Sequence, residues 1–393
     1  MVYSAPPLWR TLTQLGYFIG LSAAIGATVT YAGVVRPALR IPGNEGGDVA
    51  ALRRRTATLL AWAGVLLVVT AYFQLAARVA KSVEGMPFRE ALEPGRMWAF
   101  LRAPALPGSW VSQGTLLLMQ NLVVGLASAL LIALFSPRGR RRLDGLARTA
   151  LPLAVAVPLI PSVPTSGFEN TDYLLGSVLV VIHIVSGGVW LGGLTLLVAL
   201  AGTRRSLSDR AGLLWADVWR RFSLVALICV GAVLISGLWQ TWKHVGSVPQ
   251  LWTTPYGLFL LVKIILVLGV ITGGGVNQFW LMPRIALARQ ADAHSSLAHL
   301  TLRHFPKVVW IEVALGVGVL AVVPFLLSAG SARPDAAQPV ATADIITAGV
   351  ALVLTLAASL YATTKTSEAL CRRQVAAHAT TATARPREGS KPS

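Results

Sequence analysis

Leu174–Ala201 reads LLGSVLVVIHIVSGGVWLGGLTLLVALA. The run exceeds the ~20 residues that an α-helix needs to cross a bilayer, and it holds no Asp, Glu, Lys or Arg. Its one ionisable side chain is His183. Trp190 follows seven positions later, two turns on and on the same face. Gly187, Gly188, Gly192 and Gly193 surround the pair, and the register Gly188-xxx-Gly192 lets a neighbouring backbone come close. The spacing predicts a spanning helix that turns its imidazole toward the interior of a bundle, with the other helices as its scaffold.

Composition sets the class. Hydrophobic residues make up 54% of the 393 and charged residues only 13%, with a mean hydropathy of +0.64. A soluble chain carries about a quarter charged residues, so the fold class is all-α, a polytopic transmembrane helical bundle in contact with lipid. The net charge of +18 comes from basic residues in short loops, where they set orientation, so no nucleic-acid partner is expected. Cys229, inside an apolar run, and Cys371, in the tail, do not make a disulfide framework. The opening MVYSAPPLWR has no basic region ahead of a short apolar core, which predicts a retained first span.

Nine spans are expected: Leu12–Val35, Thr56–Ala77, Ser112–Phe135, Thr149–Pro164, Leu174–Ala201, Phe222–Trp242, Tyr256–Met282, Val308–Leu327 and Ala343–Thr363. Arginines crowd the loops after the odd-numbered spans, such as Arg53–Arg55, Arg140–Arg142 and Arg220–Arg221, and the alternate loops are nearly bare. By the positive-inside rule the N-terminus lies outside and the C-terminus in the cytoplasm. The domains expected are a four-span region at 1–165, a four-span region at 174–330, a ninth span within 331–370 and a disordered tail at 371–393. The exception to the alternation is the outer segment 78–111, whose portion Phe88–Arg102 is too polar to span and is read as interfacial. The fourth span carries Pro152, Pro158, Pro161 and Pro164. Such a helix either walls a cavity or is a kinked packing helix.

Ionisable groups at membrane depth are costly and therefore informative. Lys263 lies near the expected depth of His183, either facing inward or snorkelling to the headgroups. Asn277 follows the run Gly273–Gly275. Arg221 and Glu312 share a depth near the cytoplasmic end, where they would pair as a clamp. Two readings stand for His183, a hydrogen-bonded core residue or a ligand.

Four pieces then resemble the copper resistance D family: HIVSGGVWLGGL, RRFSLVALICVGAVLISGLW, YGLFLLVKIILVLGVITGGGVNQFWLMP and WIEVALGVGVL. The matching positions include His183, Trp190, Gly192, Gly193, Arg221, Phe222, Gly237, Tyr256, Lys263, Asn277 and Glu312, within about Leu174–Leu327. The resemblance implies copper handling, usually uptake, at the bacterial inner membrane. Cu(I) favours thiolate, thioether and imidazole ligands, and this chain has few. The candidates beside His183 are Met86, Met97 and His244 on the outer side, with Met119 and Asn121 in the third span. His294, His299 and His304, spaced by five, are read as loop residues.

Three functions follow. The leading one is copper transport or delivery, with metal received from an extracytoplasmic copper-binding protein, entering near Met86, Met97 and His244, passing His183 and leaving beside Asn277. Another is a b-type cytochrome with haem held by His183 and His244, a pair poorly matched in depth. The third is a non-transporting partner that helps another complex to acquire copper. No paired carboxylates and no nucleophile with a base occur at one depth, so an enzyme is not expected. The oligomeric state is left open.

Overall fold

The computed structural model describes residues 5–41, 46–165, 167–168, 171–202, 207–208, 211–245, 249–276 and 305–331. Among them are eight helices long and apolar enough to cross a membrane, and no strand. We label them α1 (Leu8–Leu39), α2 (Gly46–Ser82), α3 (Gln113–Phe135), α4 (Leu143–Ser162), α5 (Thr171–Ala201), α6 (Ala211–His244), α7 (Pro255–Val276) and α8 (Phe305–Ser331). The chain is an all-α polytopic bundle. The ninth expected span, Asn277, the three loop histidines and the tail lie outside the described residues.

Most of the helices outrun the lipid-length windows read from hydropathy. In α2 and α6 the first turns are polar and continue past the apolar stretch, because helical hydrogen bonding does not stop where hydropathy falls. α1 widens locally: it passes through a π-helical turn at Tyr31–Val35 before ending at Leu39. α3 starts on Ser112, whose hydroxyl accepts from the Thr115 N–H at 3.0 Å.

The helix at the centre is α1. It packs on α2, α4, α5 and α8, most extensively on α5. About 67% of its apolar window is buried, against 17% for α5, so the histidine-bearing helix is docked on α1 and is not itself the hub. The main core runs from Tyr17 and Leu21 of α1 through Leu60, Leu131 and Ala150 to Leu197, Trp215 and Val309. The regions 1–165 and 174–330 thus share one core.

Glycine lets α1 and α5 touch. A Cβ at Gly26 would lie 2.5 Å from the Gly188 carbonyl oxygen and from Gly192 Cα, and one at Gly192 would overlap the Ser22 carbonyl. In lipid the hydrophobic effect does not press helices together, so such close backbone packing is what holds them.

A smaller core caps one end. The connection between α2 and α3 carries short helices at Phe88–Ala91 and Pro94–Leu101, and Met97 and Leu101 bury against Leu75, Val79 and Leu117. Trp9 stacks on Phe88 at 5.0 Å, and the Tyr72 hydroxyl donates to the Leu92 carbonyl at 2.7 Å. At the opposite, arginine-rich end, Asp144 gathers Arg36 (3.3 Å), Arg53 (3.5 Å), Arg40 (3.9 Å) and the Tyr31 hydroxyl (2.5 Å). That cluster ties α1, α2 and α4 together.

The prolines of α4 do not break it. The helix runs through Pro152 and Pro158 to Leu159 and closes in a 3-10 turn at Ile160–Ser162. Pro161 has no N–H to give the Val157 carbonyl four residues earlier, and Gln120 Nε2 of α3 donates to that oxygen at 3.0 Å. Protein therefore satisfies the freed group, as the absence of water in hydrocarbon demands.

Candidate functional site

His183 sits where α5 meets α6. Its ring is half-buried, and Nδ1 lies 3.0 Å from Ser236 Oγ. The Ser236 hydroxyl donates to its own helix, to the Ala232 carbonyl at 2.6 Å. That proton is therefore spoken for, so Oγ accepts and His183 Nδ1 carries the ring hydrogen. With the hydrogen on Nδ1, Nε2 holds the lone pair, the form in which imidazole ligates a metal, and the Val233 carbonyl also lies beside the ring. Gly237 makes room: a Cβ there would stand 3.3 Å from His183 Cε1. Ser236 is fully buried, which fixes the acceptor as firmly as its helix.

The histidine and the close-packing glycines are on different sides of α5. His183 and Gly192 are nine residues apart, about two and a half turns, so they face opposite ways. α1 takes the Gly188–Gly192 face and α6 takes the His183 face. Gly193 occupies a third direction, where a Cβ would meet the Phe222 ring and the Thr30 hydroxyl. Trp190 is half-buried against the main core.

A stripe of α6 then runs along the α5–α6 contact. Phe222, Cys229 and Ser236 recur every seven residues on α6 and all three are buried. The heptad spacing is the signal in the sequence for this buried Cys229. Cys229 lies about 10 Å along the helix from Ser236, too far to share one ion with His183.

Lys263 of α7 is half-buried, and its ammonium is close enough to act electrostatically on His183. Glu312 of α8 is buried, with its side chain against Gly273 of α7, where a Cβ would stand 3.1 Å from Glu312 Cγ. Ten residues of α7, about 15 Å, separate Lys263 from that contact.

Arg221 has a carboxylate partner on its own helix. Arg221 Nε meets Asp217 Oδ2 at 2.6 Å and Arg220 Nη2 meets Oδ1 at 2.8 Å, all within α6. Asp217, 5% exposed at its side chain, sits three and four residues ahead of the two arginines, the spacing at which helix neighbours meet.

The remaining candidates do not gather around His183. Met97 is buried in the small core and Met86 packs against it, both on the α2–α3 connection. Met119 is 51% exposed on the outer surface of α3. Asn121 donates to the Leu117 carbonyl at 2.8 Å and lines a recess among α1, α2 and α3. His244 is exposed at the end of α6, its Nδ1 2.8 Å from the Gln240 carbonyl and its ring stacked on Tyr256 at 5.4 Å. It lies eight residues, about 12 Å, beyond Ser236. Among the described residues no three His, Cys, Asp or Glu side chains converge as a metal site.

The family description that matches is copper resistance protein D, over residues 216–326, which takes in Ser236, Gly237, Lys263 and Glu312 but begins after His183. The copper transport protein CutJ of Bacillus subtilis (strain 168) is 40% identical over 95 residues, 23% of this chain and 17% of that relative. This chain thus covers about a sixth of the length of that relative. No solved structure matches. The chain is a polytopic α-helical membrane protein, and its residues 216–326 are similar to the copper resistance protein D family.

Proposed function

We propose that this chain carries or delivers copper across the bacterial inner membrane, with the metal entering from the extracytoplasmic side and meeting His183 Nε2. The observation that carries the reading is the Ser236–His183 bond. A serine inside the copper resistance region holds an intramembrane imidazole from the preceding helix in the metal-ligating tautomer. Copper is cargo here, so a site with one strong ligand suits release better than a closed cage. Lys263 adds a positive charge near the ring and opposes a long residence. No nucleophile–base pair accompanies the site, and the proposal includes no enzymatic step.

In the topology proposed with it, the arginine-rich end faces the cytoplasm and the α2–α3 connection faces outward. Met86 and Met97 are not placed on the copper path in this reading, since they pack the small core. A b-type cytochrome would need a second imidazole across a haem from His183, and His244 is stacked on Tyr256 at the helix end.

The test is cellular copper content by mass spectrometry in a deletion strain complemented with wild type or His183→Ala, at matched amounts of folded protein. We expect wild type to restore copper-dependent accumulation and His183→Ala to behave as the empty vector. Equal accumulation by the two would remove His183 from the path. An absorption spectrum of the purified protein with a Soret band would replace copper by haem. Restored oxidase activity without a change in copper content would mark an assembly partner.

A further inference from the structure

A second polar site lies far from His183, between α2, α3 and the interfacial helix. Arg78, one turn from the end of α2, turns inward and makes no hydrogen bond or ion pair among the described residues. The other inward guanidinium groups near helix ends have partners: Arg36 and Arg53 are on Asp144, and Arg221 is on Asp217. Arg78 lines an open cleft of about 440 Å³ together with Lys81, Ser82, Gln113, Phe100 and Leu117. Behind it a recess with room for about one water (10 Å³) is lined by Arg78, Tyr17, Gln74, Gln120 and Asn121. No carboxylate lines either space. Of the three acidic side chains on the adjoining connection, Glu93 is engaged with Arg96 at 3.6 Å, Glu84 is exposed, and the half-buried Glu90 lines neither space.

We propose that the Arg78–Lys81 cleft binds a phosphate oxyanion, carried by the headgroup of an anionic phospholipid or free in solution. Two cations one turn apart present a fork and a point charge to the same space, the pairing that suits a tetrahedral anion. Gln113 adds a neutral donor at the mouth, while the Ser82 hydroxyl donates to the Val79 carbonyl at 2.7 Å. Phe100, Leu117 and Pro161 form an apolar wall beside the charges, which fits a glycerol backbone and the first methylenes of a lipid. The site is independent of the copper reading, since it uses no residue of the α5–α6 contact.

The test uses the full chain in detergent and native mass spectrometry, with phosphatidylglycerol, diacylglycerol and inorganic phosphate as probes. We expect phosphatidylglycerol to bind wild type, diacylglycerol not to bind, and Arg78→Gln or Lys81→Gln to weaken the complex about tenfold, as loss of a charge-assisted hydrogen bond does. Arg78→Lys should keep most of the affinity. Binding of phosphatidylglycerol that inorganic phosphate does not displace assigns the site to a lipid headgroup; displacement assigns it to phosphate from either source. Wild-type affinity in Lys81→Gln and Arg78→Gln, equal binding of diacylglycerol, or no binding of either phosphate probe to wild type overturns the proposal. Where Arg78→Gln fails to fold, the exposed Lys81→Gln carries the test alone.

Discussion

One hydroxyl decides what His183 can do. Ser236 gives its proton to the Ala232 carbonyl and so accepts from Nδ1, which leaves Nε2 free to ligate. Ser236→Ala removes the acceptor that orients the ring without opening the core. Copper affinity in a Cu(I) competition assay should fall ~10–100-fold, the usual effect of losing a ligand's supporting partner, with thermal stability near wild type. Ser236→Thr, which keeps the hydroxyl, should recover most of it. Unchanged affinity in Ser236→Ala would mean that Nδ1, not Nε2, faces the metal. Gly237 acts by absence: a valine there would push on the ring edge and should mimic His183→Ala in the transport assay.

At the scale of elements, close helix contact and polar repair explain the packing. The Ser22–Gly26 stretch of α1 lies on Gly188–Gly192 of α5 with the backbones touching. Gly192→Leu should lower stability by at least ~2 kcal/mol, because added volume in a tight contact forces the helices apart. Gly187→Ala, whose Cβ would meet a Val233 methyl only at 4.0 Å, should be near neutral. Thermal unfolding in detergent compares the two, and equal losses would refute the packing account. Gln120→Leu should cost about 1–3 kcal/mol, since it strips the Val157 carbonyl of its donor inside the bundle. The Arg221–Asp217 pair lies within one helix, so Arg221→Ala should lower yield more than copper accumulation per folded molecule.

For the molecule as a whole, the arginine-rich end is both an orientation signal and a structural lock. Asp144 is the single carboxylate on which Arg36, Arg40, Arg53 and Tyr31 meet. Asp144→Asn leaves those cations facing one another, and we expect a loss of about 2 kcal/mol, growing at low salt where repulsion is least screened. The topology is checked with single cysteines in a Cys-free background. A cysteine at Ala105 should react with an impermeant thiol reagent in intact cells, and one at Gly202 only after permeabilisation. The reverse pattern would turn the bundle over and with it the direction proposed for copper.

Hydropathy and charge are local properties of the chain, so the sequence by itself determined that this is a helical membrane bundle, and roughly where each described span lies. The lone histidine in a charge-free helix and the small-residue register beside it were likewise legible, because both are read along one helix. Which helix fills which face was not, since it depends on fit between residues far apart in sequence. Only the tertiary structure placed α1 at the centre, set Ser236 against His183, drew Arg221 to Asp217 and scattered the methionines. The physical reason is that a bilayer rewards every apolar helix alike, and the choice of neighbours falls to backbone approach, hydrogen bonds and charge pairing in three dimensions.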